Sequence, residues 1–162
     1  MKAFPPIYFT NLTLLIKFYF MFIEESLKKR AEIYFNSIQK HMGNALGIEF
    51  EHFTRDEFIG SMPVDERTIQ PFGILHGGAS VVLAETLASV GGWFLLDDLN
   101  KTVVGIEINA NHIRSVKKGG KVTGTAKPVN IGCKIQVWEI SITDERGKLV
   151  CSSRCTLAVI DI

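Results

Sequence analysis

Hydrophobic periodicity divides the chain after Glu24 into a fixed order of helices and strands. From Glu24 to Lys40, apolar Leu27, Ala31, Tyr34, Phe35 and Ile38 recur at helical spacing with Lys28, Lys29 and Arg30 between them. Gly43 ends that helix. Residues 46–53 and 57–64 have the pattern of two strands around the polar link Thr54-Arg55-Asp56. The run Ala79–Leu96 shows no strand alternation, and its length and its Ala and Leu content predict a helix of roughly 30 Å. Apolar positions surround nearly its whole circumference, so it is expected to be buried on all sides. Beyond Asn100 the pattern is strand-like. Val104, Ile106, Ile108 and Ala110 alternate with Gly105, Glu107 and Asn109, and Lys121–Pro128, Ile135–Thr143 and Lys148–Ile160 follow. Lys118-Gly119-Gly120 and Asp144-Glu145-Arg146-Gly147 supply turn chemistry. Antiparallel strands with one fully buried helix predict an α+β domain, a curved sheet wrapped around that helix. Such a sheet leaves edges and a second face to cover, so a homo-oligomer is expected.

Residues 1–23 break this pattern. They hold seven of the sixteen aromatic residues, and their only charges are Lys2 and Lys17. A secretory signal lacks its small-residue cleavage site here. A membrane span is interrupted by Lys17, Asn11, Pro5 and Pro6. The third reading, which we favour, takes 1–23 as an apolar N-terminal extension, with Met21 the natural start and the preceding residues upstream sequence. Residues 24–162 form the single domain.

The composition is globular, with 46% hydrophobic and 22% charged residues in 162. Eighteen basic against seventeen acidic residues leave a net charge of +1, without the basic excess of a general nucleic-acid binder. Cys133, Cys151 and Cys155 have no metal-ligand spacing, and they read as reduced packing residues of a cytoplasmic protein. No metal-hydrolase helix, nucleophile elbow or dinucleotide loop is present.

Glu85 is the residue that the buried helix must explain. A carboxylate buried without a partner costs several kcal/mol, and between Ala79 and Leu96 there is no Lys or Arg. Either it pairs with Arg114 or a strand lysine, or it lines a dimer cleft, with Ser89 at i+4 holding it or its water. His76-Gly77-Gly78 precedes the same helix. There the first N–H groups lack intrahelical partners and the dipole end is positive, which is oxyanion-hole geometry. His76 by itself is equally consistent with a cap or a core residue.

The stretch from Gln70 through Pro71-Phe72-Gly73-Ile74-Leu75-His76-Gly77-Gly78 to Glu85-Thr86 resembles the signature of the hotdog-fold acyl-CoA thioesterases. It is most similar to the branch acting on 1,4-dihydroxy-2-naphthoyl-CoA in menaquinone biosynthesis, with its aryl-carrier-protein relatives. The similarity continues through Val103–His112 and Gln136–Ile140, covering about residues 40–160. The resemblance implies a hotdog fold, dimers or tetramers with active sites between subunits, and no metal or organic cofactor. Coenzyme A then enters as part of the substrate. It further implies that Glu85 is the catalytic carboxylate, that the Gly77 N–H polarises the thioester carbonyl, that Gln70 and His76 lie near the thioester, and that Ser89 positions water or substrate. A related phenylacetyl-CoA branch has aspartate where Glu85 stands. The first twenty residues depart from the family, and the Gly119-Gly120 turn is one residue longer than usual.

The phosphates of coenzyme A want cations and backbone donors. The substrate-binding set is expected to be Gly105, His112, Ile113, Arg114 and Ser115, with Asn130, Gly132, Cys133 and Lys134 as a second loop. Phe72, Trp93 and Phe94 either line an aromatic acyl pocket or belong to the core. The alternatives to acyl-CoA hydrolysis are a proofreading thioesterase that meets its substrate on a carrier protein, a non-catalytic acyl-CoA-binding regulator, and a hydratase. A regulator should lack Glu85 and carry a DNA-reading segment.

Overall fold

The computed structural model describes residues 21–37 and 41–162. The reading of residues 1–20 as upstream sequence therefore lies outside the described residues. The elements run β1 (Phe22–Ile23), a 3-10 turn (Glu25–Leu27), α1 (Lys28–Ser37), α2 (Met42–Ala45), β2 (Glu49–Phe53), β3 (Phe58–Pro63), α3 (Gly77–Phe94), β4 (Lys101–His112), β5 (Lys121–Ile131), β6 (Ile135–Asp144) and β7 (Leu149–Asp161). The strands make one sheet in the order β1-β2-β3-β5-β6-β7-β4. All neighbours are antiparallel except β1, which pairs in parallel with β2. The sheet therefore begins at Phe22, two residues before the expected domain start at Glu24. Phe22 stacks on His52 at 4.8 Å, and the Glu24 amide continues the pairing to the Phe53 carbonyl at 2.9 Å.

The expected α+β architecture is present. The sheet curves around α3 because alternate residues of its strands turn inward: Phe58 and Met62 from β3, Val122 and Ala126 from β5, Trp138, Ile140 and Ile142 from β6, Cys155 and Leu157 from β7. Gln136 is buried among them with its amide satisfied. It donates to the Gly92 carbonyl at 3.2 Å and accepts from the Trp138 indole at 3.1 Å. β5 continues past Pro128, where alternation alone had ended it. Pro128 still lies opposite Trp138, and the register slips just beyond it, with Val129 the extra residue of a bulge.

The helix expected over 24–40 divides into the 3-10 turn and α1; residues 38–40 are not described. α1 packs across the C-terminal end of α3. Arg30 is buried there, its Nη2 donating to the Asp98 carbonyl at 2.8 Å and its guanidinium 4.6 Å from the centre of the Trp93 ring. Phe94 is core, packed on Phe53 at 5.2 Å and Phe58 at 5.8 Å. Among the described residues, no helix is long and apolar enough to cross a membrane.

At Gly91 the central helix lies directly on aromatic rings. A β-carbon there would sit 2.7 Å from Trp138 and 2.9 Å from Phe58. Gly91→Val should therefore lower stability by about 2–3 kcal/mol through overpacking, despite replacing a helical glycine. Equilibrium urea unfolding measures this.

Candidate active site

The turn before α3 is braced from both sides. Gln70 donates its amide to the Ile74 carbonyl at 2.9 Å, its carbonyl accepts from Gly73 at 2.9 Å, and its Oε1 accepts from the Phe72 amide at 3.0 Å. Gly73 closes this turn at φ +74°, a conformation that favours glycine. The His76 amide bonds the Thr68 carbonyl and the Leu75 amide the Val116 carbonyl, both at 2.8 Å. Gln70 thus spends its side chain on shaping the turn. Phe72 is carried at the tip, 87% exposed and outside the core.

His76 is the N-cap of α3. Its Nδ1 accepts from the Gly78 amide at 2.8 Å, and its carbonyl accepts from Ala79 at 3.0 Å and Ser80 at 3.3 Å. Of the first four helical amides, only that of Gly77 is left without a partner among the described residues. It points from the positive end of an eighteen-residue helix. His112, the last residue of β4, lies over the same turn. A β-carbon on Gly77 would be 2.7 Å from its Nε2, so glycine is what lets the imidazole lie there.

Glu85 lies two turns further along. The expectation that α3 is buried on all sides is corrected. Val81, Glu85, Ser89 and Trp93, at i+4 spacing, form with Val82 and Thr86 a half-exposed stripe that the sheet of its own chain does not cover. Glu85 has no ion pair or hydrogen bond among the described residues. The alternative pairing with Arg114 does not occur, because that guanidinium donates to the Leu149 carbonyl. Ser89 makes no hydrogen bond to the carboxylate either, so its holding role is not made within the chain. The Glu85 carboxylate rests against β4 at Gly105, where a β-carbon would lie 2.6 Å from Oε1. Cys155 faces the same region. Burial, reinforced by the negative charges of Glu85 and Glu107, pushes its thiol up to about 12, so it stays protonated near neutral pH and is no nucleophile.

The other expected binding residues fall into two places. Ile113, Arg114 and Ser115 are exposed just beyond His112, with the Ile113 and Arg114 amides both bonded to the Val150 carbonyl. Asn130 to Lys134 make the β5–β6 turn, in which the Ile135 carbonyl accepts from Gly132 at 3.0 Å and from the Asn130 side chain at 3.2 Å. Cys133 and Lys134 are exposed there. The first group adjoins the Cys151 end of β7. The second adjoins its Val159 end, where Val159 donates to the Lys134 carbonyl. One chain therefore does not bring the two groups together. Trp93 lies under Arg30 at the far end of the helix from Gly77. The contact between Gly105 and Glu85 is what the strand pattern had not disclosed; a glycine inside an alternating strand is the available signal for such a close approach.

A long helix inside an antiparallel sheet, with a free amide at its N-terminus and its single carboxylate on an open stripe, defines a site for a polarised carbonyl and an attacking or water-activating group. The family model described as Thioesterase superfamily matches residues 72–151. The 1,4-dihydroxy-2-naphthoyl-CoA hydrolase of Escherichia coli is 54% identical over 121 residues, covering 73% of this chain and 88% of that one. The proofreading thioesterase EntH of Cronobacter turicensis is 49% identical over 114 residues, covering 70% and 82%. The crystal structure of a thioesterase from Haemophilus influenzae superposes with a TM-score of 0.72 at 53% identity, covering 76% and 85%. The chain belongs to the hotdog thioesterases of this superfamily. It is a thioester hydrolase.

Capping by His76 is separable from chemistry. His76→Ala should lose about 1 kcal/mol of stability, and His76→Asn, whose side-chain oxygen can take the same amide, should keep it. Urea unfolding of the two variants reads the cap, and their turnover reads any further need for the imidazole.

Proposed function

We propose that this thioesterase hydrolyses an aromatic acyl-CoA, foremost 1,4-dihydroxy-2-naphthoyl-CoA, to the carboxylic acid and free coenzyme A. The observation that carries the reading is the unpartnered Gly77 amide on the helix whose only charge is Glu85. The amide, backed by the helix dipole, stabilises the oxyanion as the thioester carbonyl becomes tetrahedral. Glu85 either attacks that carbon, giving an acyl anhydride that water then opens, or takes a proton from the attacking water. By either route the C–S bond breaks, the thiolate of coenzyme A leaves and is protonated, and water supplies the hydroxyl of the acid. Coenzyme A enters with the substrate, and the chemistry asks for no metal or organic cofactor. The aromatic acyl preference is supported by relatives named for that substrate. A carrier-bound aryl thioester is the second reading, supported by the similarity to a proofreading thioesterase.

The helix itself argues for two copies at each site. Gly77 and Glu85 are eight residues apart, about 12 Å along the axis. The Glu85 carboxylate lies against Gly105 and Gly77 against His112, seven residues apart on β4 and about 20 Å along a strand. Hydrogen bonding to a carbonyl oxygen at about 2.9 Å and attack on its carbon from about 3–3.5 Å together span only about 8 Å. Glu85 of one copy therefore works with Gly77 of a second. The edge strand β4 supports the pairing: among the described residues it has no neighbour beyond it, and it exposes Val104 and Ile106. A second copy would also bring the Arg114 end of one chain towards the Lys134 turn of the other.

Glu85→Gln, which keeps the shape and removes the charge, should lower turnover by several orders of magnitude without loss of folding. Free-thiol release from a panel of aryl and alkyl thioesters of coenzyme A and carrier protein tests both this and the substrate. Activity within tenfold of the parent rejects the role of Glu85, and aromatic esters no better than long aliphatic ones reject the acyl assignment.

Gly77→Pro deletes the amide at the first helical position, where proline is well tolerated. Its ring also displaces the His112 imidazole, so Gly77→Ala, which displaces that ring but keeps the amide, is the control. Gly77→Pro should lower kcat about 100–1,000-fold below Gly77→Ala. When Gly77→Pro and Glu85→Gln subunits are unfolded and refolded together, mixed dimers hold one intact composite site, so about a quarter of the parent activity should return. If each site belonged to one chain, no activity would return.

A further inference from the structure

We propose that Gly105 is a positioning residue for the reaction, which holds the Glu85 carboxylate at its working position by having no side chain where β4 bulges. The inference rests on the assignment of Glu85 as the reacting carboxylate. The pairing of β4 with β7 runs Val104 to Ala158 and Gly105 to Leu157, and then Glu107 to Thr156. Ile106 is the extra residue of a bulge on the edge strand, and bulges of this kind bend a strand and re-aim what it carries. Immediately before the bulge, Gly105 meets the carboxylate. A β-carbon there would be 2.6 Å from Oε1 and 3.7 Å from Cδ of Glu85.

Two features make this contact decisive for the carboxylate and for little else. Glu85 has no hydrogen-bond or ion-pair partner among the described residues, so the walls around it set its position. Gly105 also lies outside the positive-φ glycines, which are Gly47, Gly73, Gly119 and Gly147. Alanine can adopt its backbone without strain, and the built β-carbon meets no group within 4 Å other than Glu85. Van der Waals contact is optimal at about 3.5–4.0 Å, so a methyl group at this position drives Oε1 away by about 1 Å. A displacement of that size at a reacting group is worth about 100-fold in rate. Glycine in this strand is thus selected by the carboxylate across from it.

The test compares Gly105→Ala, Glu85→Asp and the double variant in the thiol-release assay, with thermal unfolding alongside. Gly105→Ala should lower kcat about 100-fold, with KM within threefold of the parent and an unchanged unfolding midpoint. Glu85→Asp retracts the carboxylate from β4. It should slow the parent enzyme markedly, but leave the rate unchanged or higher when added to Gly105→Ala, because the clash has gone. Multiplying losses in the double variant, a kcat for Gly105→Ala within threefold of the parent, or a loss that tracks a lowered unfolding midpoint would each overturn the proposal. Glu85→Gln is assayed in parallel. If that variant is active, the assignment of Glu85 fails and the inference with it; if it is inactive, the Gly105 results judge the positioning role alone.

Discussion

A helix whose one carboxylate finds no cation on its own turns, nor from the sheet among the described residues, is enclosed by its own chain only at a cost of several kcal/mol. α3 resolves this by burying Ala79, Leu83, Leu87, Val90 and Phe94 against the sheet while leaving the line through Glu85 and Ser89 half open. Full enclosure would take an ionised group out of water with nothing to offset its desolvation, a loss of several kcal/mol. The open stripe keeps Glu85 reachable, and it is the face on which the proposed second copy would complete the site. The edge position of β4 follows from this arrangement. β4 approaches α3 at Gly105 and again at His112, so it forms a wall of the candidate site.

The two ends of α3 are treated in opposite ways. At the N-terminus, His76 takes the Gly78 amide on Nδ1 and the next two amides on its carbonyl, and the positive end is left with the N–H of Gly77, which has no partner among the described residues. At the C-terminus, the buried guanidinium of Arg30 covers the Asp98 carbonyl and Trp93, where a cation complements the negative end of the dipole. Burial holds the Arg30 pKa below its usual value, and the nearby Asp97 and Asp98 partly oppose that. The Arg30 contact ties α1, which lies between β1 and β2, to the helix that carries Glu85.

The order of elements and the candidate site residues were legible in the chain because each rests on a local signal. Two-residue alternation marked the strands, the unbroken apolar run marked α3, and His76-Gly77-Gly78 before it marked a helix start with free amides. Glu85 stood out because nothing on its own helix could neutralise it. Other features had no local signal. The slip at Ile106 on β4 and the one that lets β5 pass Pro128 are properties of paired strands, and β1 is too short for its alternation to register.

What the sequence by itself determined was therefore the inventory: a buried helix with a glycine-rich start, one carboxylate within it, and strands enough to surround it. Tertiary structure alone decided which face of α3 stays uncovered and that Arg114 and Lys134 lie at opposite ends of β7. It also set the Gly105 backbone against the Glu85 carboxylate. The physical reason is range. Periodicity and capping act over a few residues and are written in neighbouring letters, whereas desolvation, strand register and the space left by a missing β-carbon depend on residues brought together from distant parts of the chain.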